Sequence, residues 1–542
     1  MSSDIDQAKA PGRIYSYYVL SLLVVFYAFN FLDRQIITIL APSLKTDLNL
    51  SDAQIGLLFG TAFALFYALF GIPLAKLADG WNRVKTISLG LSLWSAMTAV
   101  SGFAGNFAQL GAARIGVGIG EASASPAAYS LIQDYFPKRQ RATALAFYSS
   151  GIYVGVGASL IFGGAVIGYW DSNFTPETRP FGLAGWQATF LAFGVPGLLL
   201  ALLVRFTVRE PVRGLFDGIK SIKEAPNPFK DVGREMATMF PPFSIINLAK
   251  VKNDRSALRR NILVLGASIA FAILLVFWTD GLLAEGKKAP IGSIGGFTIT
   301  TNVVQWTAMA IGVYCSFSWL QSIRNRDLPA AKLIGNKSFA MLSLVGGLAS
   351  FASYGLSPFI FLYSSQTFGV GPESAITLGW ILAISGGLGT IFGGALSDRA
   401  KKINASGRVY VVFFALGFSA IATYFQLTAE NLTLFYVLLG ASNFLQIMWL
   451  APIAATTQDL VLPRMRGTAA AIFLLGTNII CLGMGPYVVG LISDVTGDLR
   501  FAMLSVLAMF PIILLLLILL IKRVPEMERT VLERARAAGE PV

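Results

Sequence analysis

The chain has no histidine, only two cysteines, and 13% charged residues among its 542. Without imidazole there is no histidine metal site, no Ser-His or Cys-His catalytic pair and no histidine proton relay. The cysteines, Cys315 and Cys481, both lie in apolar runs. They cannot supply a disulfide framework and read as small buried hydrophobes. No HExxH, GxSxG or phosphate-cradling P-loop occurs, so an enzyme, an ATP-driven pump and a cofactor or metal site are not expected. A soluble chain carries about 25% charged residues, so half the usual charge excludes an ordinary soluble domain.

What fills the chain instead is hydrocarbon. Hydrophobic residues make up 55%, and mean hydropathy is +0.65. Apolar windows of roughly 20 residues recur, the length needed to cross a bilayer as a helix. Barrel strands would alternate in segments of about 10 residues. The reading is an all-α polytopic membrane protein. Spans are expected near 17–41, 52–76, 86–105, 107–131, 142–169, 185–207, 261–284, 298–320, 338–366, 374–397, 409–428, 432–456, 467–492 and 500–521, about fourteen in all. The first apolar run is too long for a signal-peptide core and reads as a membrane helix.

The net charge of +13 suggests nucleic acid in a soluble protein, but here the basic residues sit in alternate loops and no soluble basic domain exists to carry that function. Lys76, Arg83 and Lys85, then Lys138, Arg139 and Arg141, then Arg399, Lys401, Lys402 and Arg408, then Arg464 and Arg466 mark one side. By the positive-inside rule that side, and both termini, are cytoplasmic, with a bacterial inner (plasma) membrane the expected location. "DYFPKRQRATA" from Asp134 repeats as "DLVLPRMRGTA" from Asp459, an offset of 459 − 134 = 325 residues. "LAD" at 77–79 repeats as "LSD" at 396–398. Two similar six-helix halves therefore flank an insert that crosses the membrane an even number of times. The expected division is an N-terminal tail 1–16, a bundle 17–207, a basic linker 208–260 with amphipathic helices on the inner leaflet, an inserted pair and loop 261–337, a second bundle 338–521, and a tail 522–542.

This layout resembles the major facilitator superfamily, whose two six-helix bundles form a central cavity and alternate access by rocking. "LADGWNRVK", 77–85, looks like the superfamily's loop between helices 2 and 3, with Gly80 in place of the basic residue that usually follows the Asp. "FNFLDRQ", "DLNLSDAQIGLLFGTAFALFYALFGIPLAKLAD", "RIGVGIGEASASPAAYSLIQDYFP" and "GVPGLLLALL" together are similar to the Spinster family, over roughly residues 20–205. That resemblance implies a transporter of lysophospholipids or sphingoid phosphates, some members being proton-coupled. Spinster proteins typically have twelve helices, so the inserted pair departs from the pattern.

Ionisable groups inside membrane helices cost free energy and mark wet paths or each other. Helix 1 carries Asp33 and Arg34; helix 4 carries Arg114 and Glu121. Arg114 and Glu121 are seven apart, hence on one face about 10 Å apart along the axis. Between them "IGVGIG", with Gly116, Gly118 and Gly120, predicts close packing of helix 4 on helix 1. These four are the candidate substrate and proton site: arginine for an anionic headgroup, a carboxylate for the proton, Glu121 first and Asp33 second. The opposing reading is a static ion-pair network, Asp33–Arg114 or Arg34–Glu121, that only joins the helices.

At the cytoplasmic helix ends, Asp79, Arg83, Asp134, Arg141, Asp398, Arg399, Asp459 and Arg466 are the candidate gate. The superfamily resemblance implies that they latch the halves in the outward-open state. In the second half Asn443, Gln446, Trp449 and Asn478 are candidate cavity residues, with the acyl chain expected against apolar side chains there. Helix-5 glycines Gly151, Gly155, Gly157, Gly163 and Gly164 read as packing positions, because the proline of the superfamily's antiporter motif is missing. The expected function is alternating-access transport of an amphipathic anionic lipid with protons. A drug exporter or small organic-anion symporter is the alternative. Oligomeric state is not legible.

Overall fold

A computed structural model of the chain describes residues 12–214, 216, 225–250, 255–288, 290–478 and 482–541. Cys481 and most of the N-terminal tail lie outside them. Eleven described helices are long and apolar enough to cross a membrane. The other three expected crossings, 86–105, 107–131 and 467–492, are not among these eleven.

The first bundle comprises α1 (Arg13–Asp47), α2 (Asp52–Phe59), α3 (Thr61–Gly80), α4 (Arg83–Ser101), α5 (Phe107–Glu121), α6 (Ala124–Tyr135), α7 (Lys138–Asn173) and α8 (Gly185–Thr207). The helix starts follow loop chemistry: Asn82 and Asn106 accept from backbone N–H groups three residues on, and Ser51 with Gln54 forms a capping box. The second expected span is broken at Gly60, and the fourth between Glu121 and Ala124. Hydropathy windows do not register such breaks, because both pieces remain apolar.

The linker forms two short helices, α9 (Pro228–Met239) and α10 (Phe243–Ala249). The insert is α11 (Arg255–Leu282), a two-stranded hairpin of β1 (Pro290–Ile294) and β2 (Phe297–Thr300), and α12 (Thr301–Arg326). Gly295 and Gly296 have positive φ at the hairpin tip, 57° and 83°. The "GG" pair is therefore a hairpin signal. α11 turns Leu263, Phe271, Leu274, Phe277 and Trp278 outward, as a lipid-facing helix does. α12 instead buries Trp306, Met309, Tyr314 and Cys315 in a cluster with Leu65 and Leu69 of α3.

After α13 (Leu328–Ile334), the second bundle comprises α14 (Lys337–Leu356), α15 (Ile360–Phe368), α16 (Ser374–Ile403), α17 (Gly407–Leu427), α18 (Leu432–Ile447), α19 (Leu450–Asp459), α20 (Arg466–Thr477), α21 (Gly485–Thr496), α22 (Leu499–Ser505) and α23 (Met509–Arg529), followed by α24 (Val531–Ala537).

The bundles meet on the side away from the basic loops. A Cβ on Gly56 of α2 would lie 2.2 Å from the Pro486 carbonyl oxygen, and one on Gly490 of α21 would lie 2.2 Å from that of Asp52. These backbones touch directly. Ser357 donates to Gln35 at 3.0 Å, joining the end of α14 to α1. Gly157 and Gly164 of α7 let α16 approach at Gly379 and Pro372, while Gly151 and Gly155 seat α1 and Gly163 meets Ile39. The helix-5 glycines are packing positions.

On the basic-loop side the aspartates of the repeated motif, Asp134 and Asp459, are each held within their own half, while Arg464 pairs with Asp327 after α12 and with Glu540 of the tail. Arg83, 1% exposed, binds Asp134, and it reaches Glu210 Oε1 at 2.6 Å and the Ser130 hydroxyl at 2.9 Å. In the second bundle Arg408 binds Asp398 at 2.9 Å and Asp459 at 2.7 Å, and Lys401 binds Asp459 at 2.6 Å. The repeated sequence thus builds the same knot twice. Arg399 and Arg466 are exposed, Asp79 holds Arg213 through its backbone carbonyl, and Arg141 donates to the carbonyls of Gln133 and Phe136. None of the eight candidate gate residues bonds across the bundles among the described contacts. The direct contacts of α2 with α21 thus lie on one side, and on the other Asp134 and Asp459 are each held within their own half.

Two tests follow. Arg83→Gln removes one partner of a buried charge cluster and lowers stability by about 3–5 kcal/mol, read as a fall in Tm in detergent. Exposed Arg399→Gln changes it by no more than about 0.5 kcal/mol. In the linker, burial raises the proton affinity of Glu235. The two 3.0 Å bonds from Arg326 and one of 2.9 Å from Trp319 outweigh it and hold the carboxyl below its ordinary value. The folded value being depressed, this tie is present above the unfolded value of about 4.3 and is lost as pH falls through the folded one. Hydrogen exchange of α9 accelerates there in the wild type; in Glu235→Gln it is already fast at neutral pH.

Candidate functional site

Asp33 and Arg34 follow one another in the middle of α1, and Arg114 and Glu121 face them from α5. All four are buried, Asp33, Arg114 and Glu121 fully and Arg34 at 4% exposure. Their pairing is uneven. Arg34 Nη2 donates to Glu121 Oε2 at 3.0 Å and reaches Asn30 Oδ1 at 3.5 Å. Arg114 Nη1 takes the backbone carbonyl of Asp33, at 3.0 Å, rather than its carboxylate. Thr98 lies beside the Asp33 carboxylate and Asn30 beside that of Glu121, yet among the described residues neither Asp33 oxygen makes a well-formed hydrogen bond, nor do Glu121 Oε1, Arg34 Nε, and Arg114 Nε and Nη2. The alternative pairings expected from sequence thus resolve into one ion pair, Arg34–Glu121, and one backbone contact.

Such a cluster is not a saturated structural bridge. Buried charges usually have every lone pair and proton occupied. Here one ion pair is complete on one edge, and several hydrogen-bonding atoms beside it are unmatched.

Aromatic rings hold Arg34 in place of solvent. Its guanidinium carbon lies 4.5 Å from the Phe31 ring centre, 4.6 Å from Phe63 and 4.7 Å from Tyr67. Each such contact contributes roughly 0.5–2 kcal/mol. Gln35, the next residue, accepts from Ser357 of the second bundle at 3.0 Å, so Arg34 lies on the stretch of α1 that meets that bundle. Toward it runs a group of tyrosines that sequence reasoning missed. Tyr27 and Tyr148 stack with centres 4.3 Å apart, Tyr129 meets Tyr148 edge-on at 5.5 Å, and the Ser125 hydroxyl lies 3.5 Å from that of Tyr27. Tyr129 is 38% exposed, whereas Tyr148 is fully buried. One signal was available: Tyr27, Phe31 and Arg34 recur at i, i+4 and i+7, one face of α1.

The glycines of α5 do not face α1 as expected. A Cβ on Gly118 would meet the Phe63 carbonyl of α3, and those on Gly116 and Gly120 would meet Met97 and Trp94 of α4. The charged face and the glycine face of α5 point different ways: spacing identifies a stripe but not the neighbour that fills it.

In the second bundle Asn443 donates to the Ser385 hydroxyl at 2.7 Å. Gln446 accepts from Ser419 at 2.7 Å and donates to the Ala349 carbonyl and the Ser353 hydroxyl, both at 3.1 Å. These amides tie the bundle's own helices together. Trp449 is buried against Gly346, and Asn478 ends α20. A separate cavity of about 470 Å³, lined by Asp47, Asp171, Arg179 and Trp186, opens on the side away from the basic loops and contains none of the candidate residues.

The sequence profile of the Major Facilitator Superfamily matches residues 23–484 and, overlapping, 342–540. An MFS-type efflux pump of Mycolicibacterium smegmatis is 26% identical over 499 residues, 92% of this chain and 89% of that protein. Protein spinster homolog 1 of Xenopus laevis is 24% identical over 497 residues, 89% of this chain and 74% of that protein. Among solved structures, a bacterial homolog of the human lysosomal transporter Spinster, inward-facing and occupied, superposes with a TM-score of 0.66 at 25% identity, covering 94% of this chain and 97% of that one. The chain is an integral membrane protein that belongs to the Major Facilitator Superfamily, as a Spinster-like member.

Proposed function

We propose that this secondary transporter carries an amphipathic anionic lipid, of the lysophospholipid or sphingoid-phosphate class, in exchange with or alongside protons, with the basic-loop side cytoplasmic. The observation that carries this reading is the buried Arg34–Glu121 contact of 3.0 Å among unmatched polar atoms. An arginine so placed offers an anion a planar donor fork. Glu121 and the headgroup compete for that fork. When the headgroup takes it, Glu121 loses its countercharge in a medium where an uncompensated carboxylate is costly, and it takes a proton. Substrate and proton then occupy the site together, and the bundles rock around a neutralised centre. Asp33 is the second candidate carrier. The phenyl and phenol faces around Arg34 suit a substrate whose headgroup joins an apolar chain, and the exposed edge of Tyr129 suits entry from the basic-loop side.

A second reading, proton-coupled export of an amphipathic drug, is favoured by the near full-length likeness to an efflux pump.

The test is uptake of labelled lysophospholipid into proteoliposomes with and without a pH gradient. Hydrogen bonds to charged groups contribute about 1.5–3 kcal/mol, so Glu121→Gln is expected to reduce gradient-driven uptake by at least roughly tenfold while the protein remains monodisperse. Arg34→Lys, which keeps the charge but loses the fork, raises the KM for the lipid more than it lowers the maximal rate. Gradient-driven uptake that survives Glu121→Gln removes Glu121 from coupling. Transport of a cationic drug and not of the lipid selects the second reading.

A further inference from the structure

The seam between α2 and α21 closes one side of the molecule, and a single carboxylate finishes it. Asp494, in the last turn of α21, accepts from the backbone N–H groups of Asp52 and Ala53 at 2.9 and 2.8 Å. A residue of the second bundle thus caps the N-terminus of a helix in the first, where a negative charge is favoured. Asp52 answers by accepting from Ser493 at 2.7 Å.

The insert grips the same segment of α21. The Tyr487 hydroxyl, fully buried, donates to Asn302 Oδ1 at 2.7 Å, and Asn302 Nδ2 donates to Asp280 Oδ1 at 2.6 Å. Thr300, the N-cap of α12, donates to Asp280 Oδ1 at 3.2 Å. The Trp306 ring meets Tyr487 edge-on at 5.7 Å, and its indole N–H donates to Thr279 at 3.1 Å. Beyond the membrane edge, Lys287 Nζ donates to the Asp494 backbone carbonyl at 2.6 Å. Two bonds from the insert therefore land on α21 seven positions apart, at Tyr487 and Asp494, and Gly490 and Ser493, which meet Asp52 of α2, lie between them.

We infer that the inserted helix pair is a brace on this seam: Asp280, Asn302 and Lys287 are positioning residues that hold α21 in the orientation in which Asp494 caps α2. These bonds account for Asp280, an ionic group at the hairpin end of α11. It is the fixed end of a buried chain, Asp280–Asn302–Tyr487, that links a lipid-facing helix to the moving wall of the transport path. α12 also packs on α3 of the first bundle, so the insert bridges both sides of the seam and favours the closed over the open form. This rests on alternating access, not on the substrate or the coupling ion.

The experiment reads accessibility, independently of transport. In full-length protein with Cys315→Ala and Cys481→Ala, one reporter is Ala53→Cys, 2% exposed at the seam, and the other is Ser125→Cys beside Tyr27. Each is labelled in oriented vesicles with a membrane-impermeant maleimide from its own side. Tyr487→Phe, which removes one hydroxyl, and Lys287→Gln are each expected to speed labelling at position 53 several-fold and to slow it at position 125. Asp494→Asn sets the scale for a weakened cap. A general loosening would speed labelling at both positions, and that outcome overturns the proposal. So does unchanged labelling at position 53 in both Tyr487→Phe and Lys287→Gln.

Discussion

The ion pair between Arg34 and Glu121 is the constraint from which the rest of the first bundle follows. Removing two charges from water costs several kcal/mol per ion, and only close geometry and further hydrogen bonds recover it. Here recovery is partial. Three aromatic rings surround Arg34, and among the described residues several neighbouring oxygens and nitrogens make no well-formed hydrogen bond. A pair that contributed only stability would be replaced by hydrocarbon at little loss. One that must be broken and remade needs this intermediate degree of satisfaction.

The seam and the knots arrange access to that pair. On one side, glycines bring α2 and α21 into backbone contact and α7 against α16, so closure rests on shape and on a helix cap as well as on apolar packing. On the other side, Arg83 and Arg408 anchor equivalent aspartates within their own bundles. The two rigid bodies and their dividing plane are visible in which charges find partners, and where.

Much of this was legible in the sequence. Low charge, apolar windows and the repeated Asp–Arg motif identified the two bundles and the insert. The scarcity of intramembrane charge marks Asp33, Arg34, Arg114 and Glu121 as candidates, because each costs enough to need a reason, and the structure buries the four together. The unread parts share a cause: one-dimensional spacing gives a face but not its neighbour. Hence the α5 glycines point by spacing to helix 1 although they meet α3 and α4, and spacing alone does not single out Tyr27, Tyr129 and Tyr148. Gln446 looked like a cavity residue from its polarity alone, yet its amide is saturated by its own bundle. Asp494 could not be foreseen as a cap, since its partners lie 442 and 441 positions away.

The central claim is that an anionic headgroup displaces Glu121 from Arg34 and so drives protonation. It is tested most directly by following pH with an indicator dye while lysophospholipid is added to purified protein in weak buffer. The account predicts proton uptake that saturates with lipid binding in the wild type and is absent from Glu121→Gln, which still binds the lipid. Lipid binding without proton uptake in the wild type, or the same uptake in Glu121→Gln, would contradict it.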